Sequence, residues 1–491
     1  MDAPRSRRGA GDAETPPRPA ARPHRPRLPP RADRWTPEPN APLEHALRRL
    51  RFADLPDEVV ACAKRLLLDL IGVAAAGSRT DVARIVARHA ATRMVAPGEP
   101  VRMLFDGRTA SPAAAAFAGA TTIDSFDAHD GHVLTKGHIG VTVLPVLLAL
   151  HEIGQIRDGR DCLTAFVLGY EIGTRAGIVL HATAPDYHTS GAWGCVAAAA
   201  LVARQLRLSP EKTRHALGAA EYHGPRSQMM RCVMFPTMVK DGSGWGAYAG
   251  VTAALLAADG YTGAPAVTIE DAPVAGSWAD LGSRWRILEQ YVKPFPVCRW
   301  AQPAMEAARE LQQRRAFAPE AIRRIEVRSF REAVSLVSRA PASTDEAQYS
   351  LPFPVAALLV HGRVGAREIT GRGLRDPRVL ALADSMVLRE EAAYSRLFPA
   401  QRWAQVRVTL TDGRRLASKP CVARGNPENP LDPREMRDKF RDLARPVLGR
   451  ARCDAIEAAV DGLDGKEAGF GPLADLLLAP VARWARTTPA G

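Results

Sequence analysis

The chain is poor in several features that would mark a specialised class of protein. Of its 491 residues only seven are cysteine (Cys62, Cys162, Cys195, Cys232, Cys298, Cys421 and Cys453). The number is odd and no two stand as C-x-x-C. That pattern argues against a zinc knuckle or a disulfide framework and fits reduced thiols, so a cytoplasmic location is expected. Long apolar runs are lacking too. The stretches Val143–Leu150 and Val196–Ala203 are far too short to cross a bilayer, and the N-terminus has no apolar core of a secretory signal, so no membrane partner is expected. The formal net charge of +13 has no basic stripe behind it: residues 1–34 hold nine arginines against four acids, and the remaining excess is scattered as Arg without interleaved aromatics. No nucleic-acid partner is expected.

What the chain does contain is an ordinary globular composition, 46% hydrophobic and 24% charged, enough to bury a sizeable core. Residues 1–41 read as a disordered Arg/Pro-rich tail, since eight prolines before Trp35 oppose a helix. From 42 to 290 the apolar residues recur on a helical period, at Val59–Ala75, Ala113–Ala120, Val141–Ile153, Cys162–Gly177, Ala192–Leu206, Glu211–Glu221 and Trp245–Asp259. Segment 291–424 changes character. Arg324–Phe330 alternates like a half-buried strand, and Gln405–Leu410 and Arg414–Lys419 flank the hairpin signal Thr411–Asp412–Gly413. Helices are expected at Ala301–Arg314 and Pro354–His361, then again at Met436–Arg445 and Ala455–Leu463, within a final segment 425–491. The fold class expected is mainly α with an α+β insertion.

Acid–base chemistry concentrates in DSFDAHDGHVLTKGH, residues 124–138, where Asp127, His129, Asp130, His132 and His138 crowd one glycine-containing loop. Imidazole beside carboxylate exchanges protons near neutral pH. The bland reading is a polar loop satisfying its own backbone. The sharper competitor is a metal held by Asp127, His129, Asp130 and His132, although the spacing fixes no geometry and no metal is expected. Three further candidates lie apart in sequence: His188, at the entrance of a small-residue helix; Lys240, in TMVKDGSGWGAYAG; and Lys293 with Arg299, in YVKPFPVCRW. A helix N-terminus favours anions, and a lysine or arginine can neutralise a carboxylate, although each of these residues could equally be a solvated or helix-entry side chain. Ser190 and Cys195 lack any nucleophile signature such as G-x-S-x-G.

In order and spacing these segments resemble the MmgE/PrpD family. The similarity is carried by LLLDLIGVAAAGS at 66–78, the 124–138 loop with its following helix, GYEIGTRAG at 169–177, the segment from Tyr187 to Ala220, the Lys240 segment, KPFPVCRW at 293–300, IRRIEVRSF at 322–330 and YSLPFPVAALLVHG at 349–362. The resemblance implies a large helical domain formed by both chain ends (42–290 and 425–491), a smaller α+β lid (291–424), a homodimer and no cofactor. Its motifs fall on Asp127, His138, His188, Lys240 and Lys293; Asp127, His138, His188 and Lys240 are expected to be catalytic, and Lys293, Arg299, His129, Asp130 and His132 to contact substrate. The family's D-F-D-D-T reads Asp127–Ala128–His129–Asp130–Gly131 here, so its threonine hydroxyl is missing, and a histidine often found after its K-P-Y-P element is Gln302. The expected activity is that of a lyase on a small anionic polycarboxylate, foremost dehydration of the 2-methylcitrate dehydratase type. Decarboxylation or epimerisation passes through similar charge, and an inactive dimeric ligand-binding relative is the alternative of another class.

Overall fold

The computed structural model describes residues 38–481, which lie within one compact unit. The tail expected at 1–41 falls, but for its last four residues, outside the described part.

Each helix read from periodicity is present, with ends displaced by a few residues. The cause of the displacement is local capping. Asp158 accepts from the amides of Arg160 and Asp161, so the helix begins at Gly159 and runs to Thr183; Ser111 and Ser209, each followed by proline, start Pro112–Asp124 and Pro210–His223 in the same way. Gly159–Thr183 is the one helix among the described residues long and apolar enough to cross a membrane, although Glu171 and Arg175 interrupt its apolar run. Its apolar window is 94% buried inside the protein, and it contains the buried pair Arg175–Glu171 at 2.7 Å, as a core helix does. A Cβ added to Gly173 would lie 2.2 Å from Ile139 and one added to Gly169 2.6 Å from Val143, so small residues on this helix let the helix Gly140–Glu152 and the loop before it approach closely.

The main sheet falls within the segment expected to hold strands. Ile322–Ser329 lies between Met386–Glu390, which it pairs in parallel, and Trp403–Leu410, antiparallel; Arg415–Ala417 and Cys421–Val422 both pair with Trp403–Leu410. The hairpin at Asp412–Gly413 forms, with Gly413 at φ +88°. The parallel strand Met386–Glu390 was not read from the sequence, because its outer end is charged and half-exposed. Beyond the sheet the chain returns to the helices. Pro433–Leu448 packs on Asp57–Gly77, and between them Lys439 and Asp69 form a buried ion pair at 2.6 Å. The Lys439 ammonium also donates to the carbonyl of Ala128, so the returning helix holds the acid–histidine loop.

Candidate active site

The loop that follows the helix Pro112–Asp124 is pinned on both sides. Gly131–His132 pairs antiparallel with Gln290–Tyr291, and the amide of His138 donates to Ser190 Oγ at 3.0 Å. These ties aim alternate side chains in different directions, and the crowded segment divides. Asp127 and His138 line a cavity together with Lys136, Tyr187, Asp241, Tyr291, Lys293, Arg299, Tyr349 and Arg402. His129 lies behind them, its Nε2 3.7 Å from both Asp124 and Asp127 and its ring edge-on to His138 at 4.2 Å. Asp130 turns the other way, into the core beside Tyr170, Asp69 and Lys439; burial and then Asp69 push its carboxyl up to about 7. His132 pairs with Glu289 at 3.0 Å. Neither Asp130 nor His132 lines the cavity, because each is turned toward its own partners, Tyr170 and Asp69 for Asp130 and Glu289 for His132.

The distant candidates also divide. Lys293 is buried and holds Asp127 Oδ1 in a short ion pair; burial pushes the Asp127 carboxyl up, but Lys293 overrides it and leaves the carboxylate below its ordinary range. Lys240 does not line the cavity. It is 3.3 Å from Asp345 and donates to Gln348 Oε1 at 2.7 Å, and the same oxygen accepts from the Asp127 amide at 2.9 Å, so Lys240 positions Asp127 through Gln348 while its charge is neutralised within the protein. Arg299 lines the cavity, but it donates to the Arg424 carbonyl and to Gln302 and Asn426, and lies over the Tyr291 ring at 4.5 Å. His188 is not among the cavity-lining residues. Its backbone bridges to Gln228, and its amide donates to His181 Nε2. Gln302, standing where a histidine was expected, is fully buried and holds the carbonyls of Phe295 and Val297.

Asp241 was missed by the sequence reading. Its Oδ2 accepts from Ser190 Oγ at 3.0 Å and stands 3.6 Å from His138 Nε2, while Oδ1 accepts from the Tyr349 hydroxyl at 3.3 Å. Burial raises the Asp241 carboxyl above its ordinary range, and the nearby Asp127 adds to this; Asp124 is raised by burial and by Asp241 itself. His138 is held down to about 3, first by burial and then by Lys293, and is neutral at physiological pH. Its Nδ1 is bonded to the Asp130 carbonyl and must carry the proton, which leaves the Nε2 lone pair directed at Asp241. A neutral imidazole facing a carboxyl that resists ionisation is a pair able to give or take one proton in a water-poor space.

The missing threonine has a structural explanation. A Cβ on Gly131 would lie 2.6 Å from both His138 Nδ1 and the Tyr291 hydroxyl, so those two groups already fill the space a side chain would need. Of the metal alternative, Asp127, His129 and His138 have donor atoms within 4.8 Å of one another, whereas Asp130 and His132 belong elsewhere. The donor set fits poorly: the Lys293 ammonium occupies Asp127 Oδ1, and a second cation there would repel it. Nucleophilic roles find no support. Ser190 is bonded to Asp241 and the His138 amide, and burial pushes the Cys195 thiol up to about 12.

Two family models match the chain: the MmgE/PrpD N-terminal domain over residues 43–277 and the MmgE/PrpD C-terminal domain over 295–464. The chain belongs to the MmgE/PrpD family. Among curated proteins it is 25% identical over 480 residues to the cis-aconitate decarboxylase of Aspergillus terreus, covering 89% of this chain and 95% of that protein. It is 27% identical to the cis-aconitate decarboxylase-like protein oryM of Aspergillus oryzae (87% and 95% covered) and 27% identical to the human cis-aconitate decarboxylase (86% and 91%). This MmgE/PrpD protein is thus a lyase of that family.

Proposed function

We propose that this lyase releases CO₂ from an unsaturated tricarboxylate of the cis-aconitate kind. The observation that carries the reading is the His138–Asp241 pair, 3.6 Å apart in a cavity bordered by cations, in a chain whose near-full-length relatives bear the name cis-aconitate decarboxylase. In such a substrate the carbon–carbon bond to one carboxylate breaks. Its electron pair forms a new double bond, the former π pair moves to the far carbon, and that carbon takes a proton. Burial and Asp127 raise the Asp241 carboxyl, so in the His138–Asp241 pair it is the carboxyl that holds a proton and supplies it to that carbon, with the neutral imidazole beside it. The Asp127–Lys293 pair keeps a fixed dipole beside the charge as it moves. The space left between the lining side chains is about 20 Å³, room for roughly one water, so substrate enters by displacing part of the wall. In this reading residues 291–424, which supply Lys293, Arg299, Tyr349 and Arg402, act as the lid.

Incubation with cis-aconitate in deuterated water, followed by NMR and CO₂ measurement, tests this. One CO₂ per substrate and one deuterium in the product are expected. Consumption of 2-methylcitrate with loss of water and no CO₂ would assign the dehydratase activity instead. Simple deuterium exchange would assign an epimerase, and binding without turnover an inactive relative.

The reading also includes a homodimer. The helix Ser243–Ala258 has no charged residue yet leaves Trp245 and Leu256 exposed, and Tyr222, Met234, Phe235 and Val239 are exposed beside it in sequence. Exposed aromatic and methionine side chains of this kind are what a partner subunit's interface buries. A second copy covering this face would also hold the turn from Val239 to Lys240 and Asp241. Sedimentation should give a dimer, and Trp245→Glu a monomer of reduced turnover; a wild-type monomer at micromolar concentration would refute it.

A further inference from the structure

The cavity is lined by more positive charge than the protein itself neutralises. Lys293 is paired with Asp127, and Arg299 is tied to a carbonyl and two side-chain amides. Lys136 and Arg402 differ. Both line the cavity, and neither forms an ion pair among the described residues. Arg402 is only 8% exposed, its Nε has no hydrogen-bond partner, and its Nη2 reaches the Val133 carbonyl at a long 3.4 Å. Its guanidinium lies 5.8 Å from the ring centres of both Tyr291 and Phe398, which hold it in place without answering its donors. Lys136 sits at φ +52°, a left-handed backbone unusual for lysine, which brings its ammonium over the Tyr187 ring at 4.3 Å. Burial lowers the Lys136 pKa, and Arg402 lowers it further, more than Glu332 raises it. A buried guanidinium with an unmet donor is costly to maintain beside a second cation, and a carboxylate between them removes both penalties at once.

We propose that Lys136 and Arg402 form a carboxylate subsite that binds a group of the substrate other than the one that reacts. The proposal rests on the polycarboxylate reading and deepens it: selection for a second or third carboxylate is assigned to two residues that none of the matched motifs singles out. Lys136 comes from the acid–histidine loop and Arg402 from the segment 291–424, so a carboxylate held by both ties the two walls together as substrate binds.

Titration calorimetry with propane-1,2,3-tricarboxylate, an unreactive probe, tests the subsite at low and high salt. Arg402→Gln and, independently, the less buried Lys136→Gln should each weaken binding at least tenfold. Each should also flatten the salt dependence, because one cation fewer meets the ligand. Arg402→Lys should restore part of the affinity. A merely structural role would not change the salt dependence. Wild-type protein that binds the probe while both glutamine variants bind it as tightly overturns the subsite alone; wild-type protein that binds neither this probe nor any dicarboxylate overturns the polycarboxylate reading and the subsite with it.

Discussion

Replacing Asp241 with asparagine should make the protein more stable and much less active. Asp241 and Asp124 are both buried, and each is pushed toward its neutral form by burial and by neighbouring carboxylates. The folded chain therefore keeps protons that the unfolded chain has already lost above the ordinary carboxyl pKa near 3.8. Folded-state pKa values raised in this way mean that this pair's contribution to stability is fully present at acidic pH and is lost as pH rises from 3.8 through about 6 for Asp241 and about 8 for Asp124. Each tenfold change in acid strength corresponds to about 1.4 kcal/mol, so relieving the pair is worth on the order of 1–3 kcal/mol at pH 8. Asparagine keeps an acceptor for the Tyr349 hydroxyl, and its amide can donate to Ser190 Oγ, so little hydrogen bonding is lost. The assay is urea unfolding of wild type and Asp241→Asn at pH 5.5 and pH 8, alongside turnover. The variant should have the higher midpoint at pH 8 and a smaller difference between the two pH values, and turnover should fall by ~10²–10⁴. A variant less stable than wild type at pH 8, or one that turns over normally, would refute the reasoning.

Three further outcomes follow from the same geometry. Gly131→Ala places a methyl group 2.6 Å from His138 Nδ1, and displacing that ring should cost about 10²-fold in turnover; normal kinetics would show that the ring's position is unimportant. Lys293→Met leaves the Asp127 carboxylate buried without its partner and should destabilise the fold by about 3–5 kcal/mol, whereas adding Asp127→Leu should recover most of that in denaturation but none of the activity. Elemental analysis should find no stoichiometric metal at Asp127, His129 and His138, and chelators should leave turnover unchanged; one tightly held ion per chain would replace this account with a metal-dependent one.

The helices were legible because their apolar residues repeat on one period and their caps stand in the sequence, as Ser111–Pro112 and Ser209–Pro210 do. Asp127 and His138 were legible because they share one short loop. Density alone does not tell where Asp130 and His132 point: the loop is fixed from both sides, and they face Tyr170 and Glu289. Gln348, Tyr349 and Arg402 could not be singled out, since each comes from a remote segment and belongs to a type that structural roles use freely. Asp241 had one available signal, its place next to Lys240 before an uncharged helix, but only the packing of Ser190, Tyr349 and His138 around it gives it a chemical role. The Lys439–Asp69 pair shows why the C-terminal return matters: two ordinary charged residues, far apart in sequence, support the loop that bears the site.

The most direct measurement is a crystal structure with propane-1,2,3-tricarboxylate bound. The probe should occupy the cavity between His138, Lys293 and Arg402, with a carbon facing His138 Nε2 and the walls moved apart to admit it. Density for the probe in the larger open cleft lined by Phe52, Arg65, Arg160 and Arg437, with the His138 cavity unchanged, would contradict the assignment of the active site.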